Sequence, residues 1–544
     1  MIMDTKSYAL VQKSFWSVHK YVLYFLIFIF SLPVFLLCMQ RSINVYDEGL
    51  ILFGAQRVLN GDIIHRDFYA NYGPGQFYVL ALLFKIFSPS VLVERIWDSG
   101  VRSAVVLLVF WFISQVSSRK LAWMTALASM VWLAALNFYA SPMFPVIATT
   151  LASVVCLLPI LNGSKSAWRL LAAGICAGAV GLFRYDMGLF VFSGEALVLG
   201  ASVLSRTRRF RPAIWVLLPF GSGLALVALP VAGTYLATHV LGDMLLDVVL
   251  FPARSYAAMR SLPFPGLAAL GSDPLEIGTY IPIAISAVAA LAILSDMRRH
   301  SDRHSFWPTV LVLVLTMAFM VKAYVRISVS HMAMALIMAL VLLALLMDTR
   351  RKRGPMLRAA MLAVFAVTFY GTVIAGCLAS WQAQRNLAWV EQEEACRIQG
   401  GLKRMRCFTV DQNETMAMTY AQDVTAPGAA IFVGLGRHDK ILVNDIAFYF
   451  LADRASVTKW HHMDPGVQTT EPVQREMITE LQVKAPSYVI LESRWDNAHE
   501  PNGSAVSSGV TILDDYIHAN FAPVAAFGDV LVLKAQATPL PAKQ

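Results

Sequence analysis

Long apolar runs, separated by short polar or basic connectors, fill residues 1–380 of the chain. A helix that satisfies its own backbone in hydrocarbon needs about 20 such residues to cross a bilayer. Reading for that length predicts about eleven spans, centred near Ile29, Val106, Met130, Val154, Gly178, Val198, Leu224, Ala287, Leu315, Ala339 and Thr368. The basic connectors fall on alternate sides. Arg119-Lys120, Lys165 with Arg169, Arg206 with Arg208, Arg209 and Arg211, Arg298-Arg299, and Arg350-Arg351-Lys352-Arg353 share a side with Lys6, Lys13 and Lys20. The positive-inside rule makes that side cytoplasmic. An odd number of spans then places everything after Ala379 outside. The first run, Tyr21 to Met39, lacks a small-residue cleavage site and reads as a signal anchor with a cytoplasmic N-terminus.

Two outer segments are unusually large. In the first, residues 40–90, Ile51, Leu52, Ala55, Val58 and Leu59 recur at helical spacing, with Glu48, Gln56, Arg57 and Asn60 opposite. That pattern predicts an amphipathic helix lying in the membrane interface. Asn60-Gly61-Asp62 breaks it, Tyr72-Gly73-Pro74-Gly75 makes a second turn, and Phe77 to Phe87 suggests a second interfacial helix. In the tail, residues 381–544, strand-like runs (430–435, 487–492, 529–534) alternate with helix-like ones (445–453, 474–483, 514–521). The expectation there is a soluble α/β domain on the periplasmic side.

Composition supports the membrane reading: 57% of the 544 residues are hydrophobic and only 15% charged, against roughly a quarter charged in soluble domains. The formal charge of +9 would suit nucleic acid, but the cations sit in the connectors and not on an aromatic-interleaved face, so no nucleic-acid partner is expected. Cys38, Cys156, Cys176 and Cys377 lie in or beside apolar runs and read as small hydrophobes. Cys396 and Cys407 are close together after the last span and could pair outside the cytoplasm.

Candidate chemistry concentrates in the first outer segment: Tyr46-Asp47-Glu48-Gly49, Asn60-Gly61-Asp62, His65-Arg66-Asp67, Tyr72 to Tyr78, and Arg95 beyond. Adjacent carboxylates there stand within reach of a lipid phosphate head group. A carboxylate can take the proton from an attacking hydroxyl, and cations can absorb charge on a departing phosphate. Asp47 also suits a helix N-cap, and Glu48 a solvated helix face. Arg184 and Asp186 either serve chemistry or pair with each other at the membrane boundary. Lys322, Arg326 and His331 bracket a short outer turn, either as snorkelling cations or as a phosphate clamp. Arg254 and Arg260 are weaker candidates, and Glu195 falls inside an apolar span. His461-His462 with Asp464 lacks convincing metal spacing and reads as an exposed loop.

At these residues the sequence resembles the GT-C superfamily of polytopic glycosyltransferases, in its bacterial branch related to protein O-mannosyltransferases and the lipid A aminoarabinose transferase. The resemblance rests on the Asp47-Glu48 pair, Gly61-Asp62, the Pro74 turn with its aromatics, Arg95 and the outer tail. It implies a GT-C-like polytopic α-helical membrane protein with a C-terminal α/β domain, acting at the outer face of a bacterial inner membrane. It implies an inverting transfer from a polyprenyl-phosphate sugar to a lipid, glycan or protein acceptor. The expected catalytic residues are Asp47, as base, with Glu48 and Asp186. Those expected at the donor phosphate are Arg66, Arg95, Arg184, Arg326 and His331. Related enzymes often carry a second acid in the next outer loop, whereas Asn137 to Pro142 here has none, and Asp186 is the candidate substitute. No metal is assigned, and a divalent ion stays an open alternative. A transporter or flippase of an amphipathic substrate is the competing class; it predicts inverted repeats and polar residues near the bilayer midplane.

Overall fold

The computed structural model describes residues 5–298, 306–348, 353–390, 396 and 401–536. The expected cytoplasmic cations Arg299, Arg350, Arg351 and Lys352 lie outside the described residues. From the N-terminus the helices are α1 (Thr5–Cys38), α2 (Asp47–Leu59), α3 (Pro74–Phe87), α4 (Val91–Val116), α5 (Arg119–Ala135) and α6 (Met143–Leu161). There follow α7 (Ala167–Phe183), α8 (Tyr185–Thr207), α9 (Phe210–Ala237), and the short α10 (Leu241–Leu245), α11 (Ala257–Arg260) and α12 (Ala269–Ser272). Helices α13 (Ile277–Arg298), α14 (Phe306–Ala323), α15 (Val329–Leu346) and α16 (Pro355–Val390) complete the apolar part.

Each expected span centre falls inside a helix, but the number of spans differs. Among the described residues nine helices are long and apolar enough to cross a bilayer. Helices α5 and α7, at 17 residues each, are shorter. Helix α15 is the hub of the bundle: from Met332 to Leu346 every side chain is buried, so it reads as apolar all round and not as one stripe.

The soluble domain contains α17 (Gln412–Val424), α18 (Ala447–Leu451), α19 (Glu471–Lys484) and α20 (Ile512–Asn520) around one five-stranded sheet. Its strands β1 (Ala430–Leu435), β2 (Ala455–Ser456), β3 (Tyr488–Glu492), β4 (Phe521–Phe527) and β5 (Val530–Ala535) stand in the order β2-β1-β3-β5-β4. Strand β1 is parallel to β2 and β3, while β5 is antiparallel to β3 and β4. Cys396 and Cys407 are disulfide-bonded at the entrance to this domain.

Helix α2 departs from its expected place. It presents no apolar face for lipid: every residue from Glu48 to Arg57 is buried in protein. Its apolar side shares one core with Phe68, Phe77, Ile446 and Phe450. Its polar side meets the soluble domain, where Arg404 donates to Gln56 (2.6 Å) and Arg57 donates to the Thr458 carbonyl (3.2 Å). The same amphipathic pattern serves both environments, since only the partner of the polar face differs. Gly49 packs so closely on the Ala447 backbone that a Cβ would collide with it. The first outer segment and the tail therefore lie at the same end of the bundle.

The seam is anchored by an ion pair. Arg95 donates from Nε to Glu48 (2.7 Å) and from Nη1 to the Gln40 carbonyl (2.8 Å), and its guanidinium covers the Tyr139 ring. Both side chains are fully buried. Removing one charge strands the other, at a cost of about 3–5 kcal/mol. Glu48→Gln should therefore lower the melting temperature of the purified protein markedly; a wild-type melting curve would show that the pair is not a structural anchor.

Candidate functional site

Asp47 opens α2, but it does not cap it. Asn44 does: its side-chain oxygen accepts from the backbone N–H of Tyr46 (3.1 Å) and of Asp47 (2.9 Å). The Asp47 carboxylate receives only the Asn44 amide (3.3 Å) and is left to face a cavity of about 180 Å³. Arg184, Arg260, Lys322, Arg326, His331 and Asp464 also line this chamber. A second chamber of about 320 Å³ adjoins it, sharing Tyr72, Arg184, Tyr256, Arg260, Lys322 and Asp464 as a common wall and adding Asp186. Its remaining lining is largely apolar, including Phe190, Phe251, Val321 and Val325.

Each cation arrives on a different element. Arg184 links α7 to α8 and is held by Asp186 through two 2.9 Å bonds, with its guanidinium over Tyr72. Arg260 ends α11, after two π-helical turns at Leu246–Leu250 and Pro252–Tyr256. His65 fastens that stretch to the first outer segment through Asp247 (2.9 Å). Arg326 sits in the turn between α14 and α15, gripped by Glu500 of the soluble domain (2.6 Å to one oxygen). His331, near the start of α15, bonds Ser328 (2.8 Å). Lys322, at the end of α14, has no hydrogen-bond or ion-pair partner among the described residues and lines both chambers.

Five expected residues thus meet here: Asp47, Arg184, Asp186, Arg326 and His331. Three do not. Glu48 and Arg95 are spent on each other behind the chamber wall, and Arg66 lies half-exposed against its neighbour Asp67 (2.8 Å). Glu195 is buried against Ser153 (2.7 Å) and lines neither chamber. His461, His462 and Asp464 are not an exposed loop: all three are buried, His461 against Arg57 and Phe53, and His462 and Asp464 against Tyr46 and Tyr69. Asp464 carried no local sequence signal for this role, whereas Tyr46 stood beside Asp47 in the motif. Among the described residues no three His, Cys, Asp or Glu side chains are placed to hold a metal ion.

Burial raises the Asp47 pKa above the ordinary aspartate value, although Arg260 and Arg326 pull it back down. Burial alone would also raise Asp464, but His462, Arg260 and the hydrogen bonds from Arg260 and Tyr46 outweigh it and hold Asp464 at about 2. One carboxylate is thus poised to accept a proton and its neighbour is not.

The fold joins polytopic helices, a buried segment bearing Asp47 and a soluble domain over the chamber. Solved structures that share it include ArnT from Cupriavidus metallidurans in the apo state, with a TM-score of 0.53, 12% identity and coverage of 95% of this chain and 98% of that one. ArnT bound to undecaprenyl phosphate gives 0.51, 13%, 95% and 97%. The oligosaccharyltransferase AglB from Archaeoglobus fulgidus, in complex with an inhibitory peptide and a dolichol-phosphate, gives 0.51, 11%, 88% and 70%. No family model and no curated protein matches the sequence.

Because Arg326 lowers the Asp47 pKa, Arg326→Ala should make Asp47 titrate at higher pH. Infrared difference titration of the purified protein reads this directly; an unchanged midpoint would separate the two groups.

Proposed function

We propose that the chain is a glycosyltransferase moving a monosaccharide from a polyprenyl-phosphate donor to an envelope acceptor, with inversion, at the outer face of a bacterial inner membrane. The observation that carries this reading is the Asp47 carboxylate facing a chamber with Arg260, Arg326 and Lys322, whose amine has no hydrogen-bond or ion-pair partner among the described residues. A buried amine is costly to hold charged, and an anion beside it offsets that cost. The fold relatives support the choice of anion: one ArnT structure holds undecaprenyl phosphate and the AglB structure holds a dolichol-phosphate.

In this reading Asp47 takes the proton from the acceptor hydroxyl as the oxygen attacks the anomeric carbon from the face opposite the phosphate. The bond to the phosphate oxygen breaks, and Lys322 with Arg326 takes up the negative charge that develops there. Phosphate departs as an anion, so no general acid is required. The apolar wall of the larger chamber suits the first units of a polyprenyl chain. The side of Asp47 is then oriented outward, with the N-terminus cytoplasmic and the tail periplasmic. The Cys396–Cys407 disulfide fits an oxidising compartment. The other carboxylate of the Asp47 chamber, Asp464, is taken up by Arg260 and the Tyr46 hydroxyl, so no step is routed through a metal.

Asp47→Asn should lower transfer by roughly 10²–10⁴-fold while leaving membrane insertion and melting temperature intact. Transfer from the producing cell's own extracted lipid-linked sugars, followed by mass spectrometry of envelope glycans, checks it. Near-normal transfer would remove Asp47 as the base.

A further inference from the structure

The soluble domain does more than cover the chamber. Asp464 lies in the loop between β2 and α19, far along the chain from Asp47, yet its carboxylate gathers donors from two other parts of the molecule, the first outer segment and the stretch before α13. The Tyr46 hydroxyl (3.0 Å) and the Arg260 guanidinium (2.9 Å) reach Oδ1, and the Tyr69 hydroxyl (3.1 Å) and the Asn71 amide (3.4 Å) reach Oδ2. Arg260 in turn donates to the Tyr46 hydroxyl (2.8 Å) and to the Leu442 carbonyl (2.8 Å). Two of its three acceptors therefore belong to the soluble domain. The loop itself is fixed by Gln468, which accepts from the Asp464 backbone (2.6 Å) and donates to the His462 carbonyl (2.9 Å).

A carboxylate that served only to dock two domains could sit anywhere along the seam. This one lines both chambers and is bonded to the residue that precedes Asp47 in the chain. We propose that Asp464 is a positioning residue of the site, supplied by the soluble domain: it fixes the Arg260 guanidinium and the Tyr46 ring against Asp47 and places a second negative charge beside that carboxylate. The inference rests on Asp47 acting as base in a chamber for a lipid phosphate. It makes the soluble domain part of the reacting site and not only a selector of acceptors.

Asp47 is faced by Arg260 after the π-helical turns, by Arg184 between α7 and α8, and by Lys322, Arg326 and His331 around the α14–α15 turn. From the soluble domain it is faced by His462 and Asp464. Among these, Asp464 is the acid that opposes ionisation of Asp47, while Arg260 and Arg326 favour it. Neutralising Asp464 should therefore lower the pH at which Asp47 takes up its proton.

The affinity of the full-length protein in nanodiscs for undecaprenyl phosphate, measured from pH 4 to pH 8, reads this. Protonating Asp47 removes a negative charge from the chamber, so binding of the anion tightens as pH falls through the Asp47 pKa. Subtracting the Asp47→Asn curve isolates that step from titration of the phosphate itself. In Asp464→Asn the step should move to lower pH by about half a unit or more, roughly a threefold change in proton affinity; Asp464→Glu should restore it. A role confined to holding the domains together would weaken binding at every pH and leave the step in place, and that result overturns the assignment alone. Absence of saturable binding by the wild type, or of the Asp47 step, would instead overturn the donor reading and this assignment with it.

Discussion

Burial of one short helix between two domains governs the rest of the structure. Helix α2 carries Asp47 at its first residue, and its thirteen residues are packed between α3 and α18 of the soluble domain. Such a helix can keep a charged group at the domain seam only if its other polar groups are satisfied. Glu48 finds Arg95, Gln56 finds Arg404 and Asp453, and Arg57 finds Asp62 and the Thr458 carbonyl. Asn44 takes the capping duty that would otherwise occupy an acidic side chain at this position. With those needs met elsewhere, Asp47 is the acid of α2 left to face open space.

The chamber it faces is a balance of opposed charges. Arg184 is matched by Asp186, Arg260 by Asp464 and Arg326 by Glu500. Those three pairs leave Asp47 and Lys322 as the groups least engaged by the protein. Partial neutralisation has a clear physical use. Under the proposed lipid-phosphate reading, a chamber of bare cations would hold the phosphate so firmly that the product would leave slowly, and only affinity gained in the transition state accelerates a reaction. Arginines pre-held by carboxylates offer oriented donors with less ground-state attraction.

Much of this was legible in the sequence, and the failures share a cause. Apolar length located the span centres, and strand alternation located β1, β3 and β5, because both signals are local. The short β2 and the antiparallel β4 carried too little periodicity to stand out. Asp47 was marked by its acidic motif, and Arg184, Asp186, Arg326 and His331 by charge at the ends of apolar runs, where it is costly and often functional. Glu48, Arg95 and Arg66 stood in the same motif, yet two of them pair behind the wall and one sits half-exposed away from it. A motif gives proximity along the chain, whereas a chamber is defined by direction, and adjacent helical residues point about 100° apart. His461 to Asp464 reads as a polar loop because its partners lie some four hundred residues earlier and nothing local announces them.

That long separation bears on how the site is built. Tyr46, Arg260 and Asp464 meet at distances under about 3 Å, yet they come from the first outer segment, the stretch before α13 and the soluble domain. No one of these parts can set the geometry alone: without the soluble domain, Arg260 keeps only the Tyr46 hydroxyl among its three acceptors, and Tyr46 loses Asp464 and His462. The ordering of Arg260 beside Asp47 is therefore a property of the assembled chain. Since a base is useful only when the group it serves is held within hydrogen-bond reach, the packing of α2 against α18 and the orientation of the chamber arginines are one constraint expressed at two places.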